Sequence, residues 1–297
     1  MTGPLKVQEF MVLTVGGIPL FHYSPNDSRK LDTLLSGFLS AVSSFAAEFG
    51  ERSIQSLSFE GSEILYQTEA DVLFVFVVGS GAEKRVLRAV LRDLSRKFLS
   101  SYQEEIKADV LIEDAFKGFA DEVKRSFSFY EGVLAVAASL SSFVVPKINQ
   151  ATFDAAVSLM GLLDELHRDF GIGGSRIVDA IDGKASIYDV SRITGIEIDQ
   201  VTEVVEYLVI WGVVRVFKMC PAIQASDARF DIYLDIVGLP KRDNQILIRA
   251  RPFCKGEKSL VEISEKIGVT AEKLHEILGK LGNAVSWNYI EVTSLSH

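Results

Sequence analysis

Val72-Leu73-Phe74-Val75-Phe76-Val77-Val78 is apolar at every position, and a strand without polar alternation has both of its faces covered. The run therefore belongs at the centre of a layered sheet. Upstream, residues 54–59 turn at Glu60-Gly61 into a strand over 63–68, and Glu69-Ala70-Asp71 turns that strand into the apolar run. Gln55, Ser56, Ser58 and Gln67 interrupt these two strands. Further back, 7–15 and 17–24 read as strands joined at Gly16-Gly17, the first carrying Phe10, Met11, Val12, Leu13 and Val15. Ser24-Pro25-Asn26-Asp27-Ser28 ends the second and supplies N-cap oxygens for a helix to about Phe49, with Leu31, Leu34, Leu35, Phe38, Val42 and Phe45 at three- and four-residue steps. Downstream, a helix over about 82–102 buries Val86, Leu87, Val90, Leu91, Leu94, Phe98 and Tyr102, and one near 113–138 repeats Phe116, Phe119, Val123, Phe127, Tyr130 and Leu134. The order predicts an α/β domain: a five-stranded antiparallel sheet with helices on both faces, its first and last strands central.

The run of Ser43-Ser44-Phe45, Ile54-Gln55-Ser56-Leu57, Ile64-Leu65-Tyr66 and Leu73 through Val78 resembles the first longin domain of the fuzzy, Mon and Hermansky–Pudlak syndrome proteins, over about residues 5–127. It is a pattern of apolar positions, not a catalytic signature. The resemblance implies a longin-type domain over 1–145 that pairs with a second longin-type or roadblock-type subunit and holds a small GTPase, usually to drive nucleotide exchange.

Pro146-Lys147-Ile148-Asn149-Gln150 reads as a linker, followed by a helix with Phe153, Val157, Met160, Leu163 and Phe170 that ends at Gly171-Ile172-Gly173-Gly174. Beyond it the sequence repeats itself. Ser186 lies nine residues before Gly195, and Val201, Val204, Val205 and Leu208 lie six, nine, ten and thirteen after it; Ser259, Gly268, Leu274, Ile277, Leu278 and Leu281 keep the same spacing. Two short helices at a turn with a strand behind them make a helix-turn-helix with its wing. Two mainly helical winged-helix-like modules are expected, over 146–222 and 223–297, with strand-like 230–236, 246–248 and 287–292 completing the second.

Charge bears on their use. Winged helices bind DNA by laying a helix that carries basic and amide side chains in the major groove. Here 198–208 carries Asp199, Glu203 and Glu206 and no Lys or Arg, segment 151–220 holds six basic against eleven acidic residues, and 221–297 holds ten of each. Lys273 and Lys280 are offset by Glu272 and Glu276. With a net charge of −9, no DNA is expected as a partner. A longin domain joined to winged-helix modules also resembles the nitrogen permease regulator-like proteins, which act on Rag-type GTPases; that resemblance is architectural, and implies hydrolysis where the first implies exchange.

The remaining composition narrows the class. Cys220 and Cys254 are the two cysteines, neither with a histidine at ligand spacing, so neither a disulfide framework nor a metal site is expected. The N-terminus lacks a basic n-region and apolar h-region, and the apolar runs at 72–78 and 133–145 fall short of a membrane span. The expectation is a cytoplasmic protein that reaches a membrane at most peripherally. His22, His167, His275 and His297 lie in separate segments, and Gly79-Ser80-Gly81 lacks the Lys-Ser/Thr continuation of a phosphate loop, so no catalytic residue and no cofactor is assigned.

Three surface candidates remain. Arg85, Arg88, Arg92 and Arg96 fall within roughly 80° of one another on the helix opposite its apolar stripe, flanked by Lys84 and Lys97; the plainer reading is a solvated face neutralised by nearby carboxylates, and the functional one an anionic membrane or an acidic partner. Asp32, Ser36 and Ser40, on the small-residue side of the first longin helix, are the expected partner contacts. If the GTPase-activating analogy holds, Arg52 or Arg85 is placed to act as an arginine finger. The leading function is a non-catalytic regulatory or scaffold subunit for a small Ras-like GTPase, in membrane trafficking or signalling. The alternatives are a winged-helix transcription regulator with a longin-like sensory or dimerisation domain, and a purely structural adaptor.

Overall fold

A computed structural model describes residues 3–25, 56–59, 61–108, 113–223, 234 and 236–293, and the chain divides into a compact unit reaching residue 135 and a second spanning 136–294. In the first, β1 (Val7–Thr14) and β2 (Pro19–Tyr23) form a hairpin, and β3 (Ser56–Phe59), β4 (Ser62–Glu69) and β5 (Val72–Gly79) follow. The sheet order is β2-β1-β5-β4-β3, antiparallel throughout. The apolar run is the middle strand, with Phe74 opposite Val12 on one side and Gln67 on the other.

Alternation along β1 and β5 sorts their side chains to two faces. Phe10, Phe21, Phe74 and Phe76 interleave with Phe98, Phe119 and Phe127 at ring separations of 5.1–6.5 Å. Met11, Leu13, Ile64, Tyr66, Leu73, Val75 and Val77 form a buried cluster on the other face. The helix expected to run to about Phe49, and the start of the strand expected at 54, lie outside the described residues.

On the aromatic face, α1 (Lys84–Ser101) buries Val86, Leu87, Val90, Leu91, Leu94 and Phe98 of the expected stripe, while Tyr102 is its half-buried C-cap residue. A five-residue helix, α2 (Gln103–Lys107), follows. The single helix expected from 113 is two pieces: a 3-10 turn over Glu113–Phe119 and α3 (Ala120–Ala138). A 3-10 turn puts residues three apart on one side, and here it lays Phe116 and Phe119 against Phe98, at 5.4 and 5.1 Å.

The second unit begins with β6 (Val144–Ile148), so the Pro146-Lys147-Ile148 stretch read as a linker is an edge strand. The helix expected through Phe170 is broken at Gly161, which takes a left-handed φ of 65°, into α4 (Gln150–Met160) and α5 (Leu162–Ala180); α5 is itself two helical pieces that meet at Gly171, whose φ of 61° and ψ of −154° are not helical, so the expected interruption there is present and a second helical piece follows it. Then come α6 (Ile187–Thr194), α7 (Ile198–Ile210), β7 (Val214–Ile223), α8 (Lys241–Ala250), α9 (Leu260–Ile267), α10 (Ala271–Lys280) and β8 (Val285–Glu291). Residues 246–248, expected as strand, lie inside α8. Three apolar residues are too few to fix a period, and the buried set Asp243, Leu247 and Ala250 follows helical spacing while Ile248 stays 61% exposed. Of 230–236, Leu234 and Ile236 are helical and the others lie outside the described residues.

The repeat extends beyond its apolar positions. A shift of 73 residues carries Ser186 to Ser259 and Gly195 to Gly268. Both serines close capping boxes, with Asp189 and with Glu262, and both glycines end their helices in the left-handed region, at φ 66° and 67°, which a residue without Cβ adopts at least cost. The same shift carries the β6–β7 register onto β7–β8: Val144 pairs with Lys218 and Ile148 with Val214, while Phe217 pairs with Glu291 and Pro221 with Trp287. β7 is thus the last strand of one copy and the first of the next. The two copies share one three-stranded sheet, β6-β7-β8.

Candidate functional site

The α1 surface begins with helical geometry. Val86, Leu87, Val90, Leu91, Leu94 and Phe98 take the buried side, which leaves Arg85, Arg88, Arg92 and Arg96 on the remaining arc. Arg85 and Arg88 are exposed, and Arg92 and Arg96 are half-buried beside Tyr130 of α3, whose hydroxyl donates to the Ala89 carbonyl at 3.4 Å. Burial pushes the Tyr130 phenol well above its ordinary pKa, and Asp93 adds to this while Arg92 and Arg96 oppose it. The flanking lysines are committed: Lys84 to Glu63 at 2.8 Å, and Lys97 to Asp93 at 2.9 Å and Glu122 at 2.8 Å. Ser126 completes that knot, donating to Asp93 at 2.9 Å and accepting from Lys97 at 3.0 Å. Lys97 holds the Glu122 carboxyl below the usual range. Among the described residues neither Arg88 nor Arg96 makes an ion pair. Asp32, Ser36, Ser40 and Arg52 lie outside the described residues.

The helices at the DNA-reading positions of the two copies differ from a phosphate-binding surface in different ways. On α7, Val201, Val204, Val205 and Leu208 are buried and Asp199 and Glu203 are exposed. On α10, Lys273 and Lys280 both bind Asp243 of α8, at 3.1 and 3.2 Å, and both bind Glu276, at 3.3 and 2.7 Å. Asp243 is 5% exposed. Lys273 and then Lys280 hold its carboxyl below the ordinary range, against the opposing effect of burial. The offset to these lysines is thus Glu276 and Asp243; Glu272 makes no ion pair with either. Asp243 was illegible in the sequence because it stands 30 and 37 residues from its partners.

Two histidines have defined neighbours within their own units. His22 lies 3.6 Å from the buried Glu9, and His275 sits among the rings of Phe143, Tyr188 and Trp287. Cys220 and Cys254 are both buried free thiols, and burial raises the pKa of each to about 11, which keeps them protonated. Among the described residues no group of three or more His, Cys, Asp or Glu side chains could hold a metal ion, and no helix is long and apolar enough to cross a membrane.

The sheet order and the two helix pairs define a mixed α/β protein whose first unit is compatible with a longin-like fold. No protein-family model matches the chain, and no curated protein matches it in sequence.

Proposed function

We propose that this chain is a non-catalytic regulatory or scaffold subunit for a small Ras-like GTPase. Its first unit is then a longin-type platform that works with another longin-type or roadblock-type subunit, and its second carries two winged-helix-like modules as further interaction surfaces. The observation that carries this reading is the order β2-β1-β5-β4-β3, with the two strands predicted to be central lying side by side. That order, a β1–β2 hairpin beside a β3–β4–β5 meander with β1 and β5 central, supports the longin-type reading. Capture of a Ras-like GTPase from the source cell by the immobilised full chain, in a manner set by the bound nucleotide, tests the reading.

A transcription regulator is the second reading, favoured by the two helix-turn-helix pairs with matching capping boxes. Charge weighs against it. Phosphate neutralisation supplies most protein–DNA affinity, yet α7 presents Asp199 and Glu203 and the α10 lysines are tied to Asp243 and Glu276. Fluorescence anisotropy with mixed-sequence duplexes separates the readings: a flat titration at physiological salt favours the GTPase platform, and sub-micromolar, salt-sensitive binding favours the regulator.

A further inference from the structure

The two copies of the repeat agree in their frame, and one surface address belongs to the second alone. Phe253, Lys258 and Lys266 in the second copy fall where the first has Ala180, Ala185 and Ile193. In the second copy these three side chains converge. The Lys258 ammonium lies 5.4 Å and the Lys266 ammonium 4.3 Å from the centre of the same Phe253 ring. Phe253 is half-buried and both lysines are exposed.

A carboxylate stands close to both in sequence. Glu262 is four residues before Lys266 on α9, the separation at which helical side chains meet, and Lys258 stands just ahead of the Ser259 N-cap of the same helix. Glu262 is committed elsewhere: one oxygen binds the Lys218 ammonium at 3.0 Å and the other accepts the Ser259 backbone N–H at 3.0 Å. Among the described residues neither Lys258 nor Lys266 has an ion-pair partner. Lys258 is also the largest influence holding the Lys266 pKa below its ordinary value, as two ammonium groups gathered without a counter-charge require.

We propose that Lys258 and Lys266, gathered over Phe253, form a binding subsite for a phosphate dianion. Lysine is a compact point charge and binds phosphate as one. Two such charges on one ring match a group that carries about two negative charges on clustered oxygens. The ligand chemistry is a phosphate monoester or free phosphate, and its source is either soluble or the headgroup of a membrane lipid.

The test uses the full chain with its lysine ε-carbons isotopically labelled for NMR. Inorganic phosphate should shift the Lys258 and Lys266 signals and raise the Lys266 titration midpoint, while equal ionic strength of chloride leaves both in place. Lys258→Gln and Lys266→Gln should each weaken phosphate binding about tenfold, the loss of one charge-assisted hydrogen bond, without moving the Lys147 signal. Vesicles of phosphatidylcholine with a phosphatidylinositol monophosphate are compared with phosphatidylserine vesicles of equal charge. Selective sedimentation with the former that Lys258→Gln abolishes assigns the lipid headgroup; a response to inorganic phosphate without sedimentation assigns a soluble source, and both uphold the subsite. Lysine signals that respond to phosphate and chloride alike, or binding unchanged in both variants, overturn it.

Discussion

Arg176 donates a hydrogen bond from Nη2 to the backbone carbonyl of Thr194 at 2.6 Å, closing the last turn of α6 from outside that helix. Seventy-three residues later Arg249 donates in the same way to the carbonyl of Ile267, the last residue of α9. The final carbonyls of a helix have no partner within it, and a cation there also complements the negative end of the helix dipole. The duplicated device ties α5 to α6 and α8 to α9, and so fixes the turn in each pair.

Arg176→Ala and Arg249→Ala should each lower the stability of the second unit by about 1 kcal/mol. Both tryptophans of the chain, Trp211 and Trp287, belong to that unit, so urea unfolding followed by tryptophan fluorescence reads it alone. Midpoints unchanged in both variants would remove the arginines from the account of how the turns are fixed.

His275 gives the second unit a pH dependence near neutrality. Burial among Phe143, Tyr188 and Trp287 holds its pKa below 6.5, with Arg192 reinforcing and Asp189 opposing. As pH falls the unfolded chain takes up this proton before the folded one does, so stability is full above 6.5 and is lost as pH drops through the folded value. His275→Leu should flatten the stability profile in that window, measured by the same fluorescence at successive pH values.

Asp243 acts lower on the scale. Lys273 and Lys280 depress its carboxyl below the ordinary 3.8, so its contribution is present above that value and disappears as pH falls through the lower, folded one. Asp243→Asn should destabilise the second unit at neutral pH and reduce the slope of acid unfolding below about pH 4. Because both lysines lose a partner, the substitution should also increase the salt sensitivity of any weak DNA binding, which anisotropy would read.

What the sequence made legible follows from periodicity. Val72 through Val78 announced a central strand because no polar residue interrupts it, and six of the seven apolar positions expected on α1 are buried because their helical spacing leaves one solution. Residues 246–248 misled because an apolar triplet fits a strand or a helix, and only Asp243, Leu247 and Ala250 turned inward decide between them. The helix break at Gly161 was missed because Leu163 and Phe170 continue the apolar spacing across it. The two cation clusters of the second unit were beyond reach, since Asp243 with Lys280, and Phe253 with Lys266, are juxtaposed by packing and not by local spacing.

The basic face of α1 makes a test of location. Liposomes containing anionic lipid should sediment the full chain at low salt and lose it as salt rises, because screening shortens the reach of exposed charge. Arg85→Gln with Arg88→Gln should remove most of the effect, since these two are exposed, whereas Arg92 and Arg96 are half-buried beside Tyr130. Equal sedimentation of both proteins would leave α1 without a membrane role.

A first unit that serves as a platform for a small GTPase should capture that GTPase in a nucleotide-dependent way. The immobilised full chain is incubated with lysate of the source cell in excess GDP, a non-hydrolysable GTP analogue, or EDTA without nucleotide, and bound proteins are identified by mass spectrometry. The account predicts one Ras-like GTPase enriched at least tenfold in one nucleotide condition over the others, a difference of about 1.4 kcal/mol in binding, together with a second longin-type or roadblock-type protein in the same eluate. Recovery of no GTPase, or of GTPases equally in all three conditions, would contradict it.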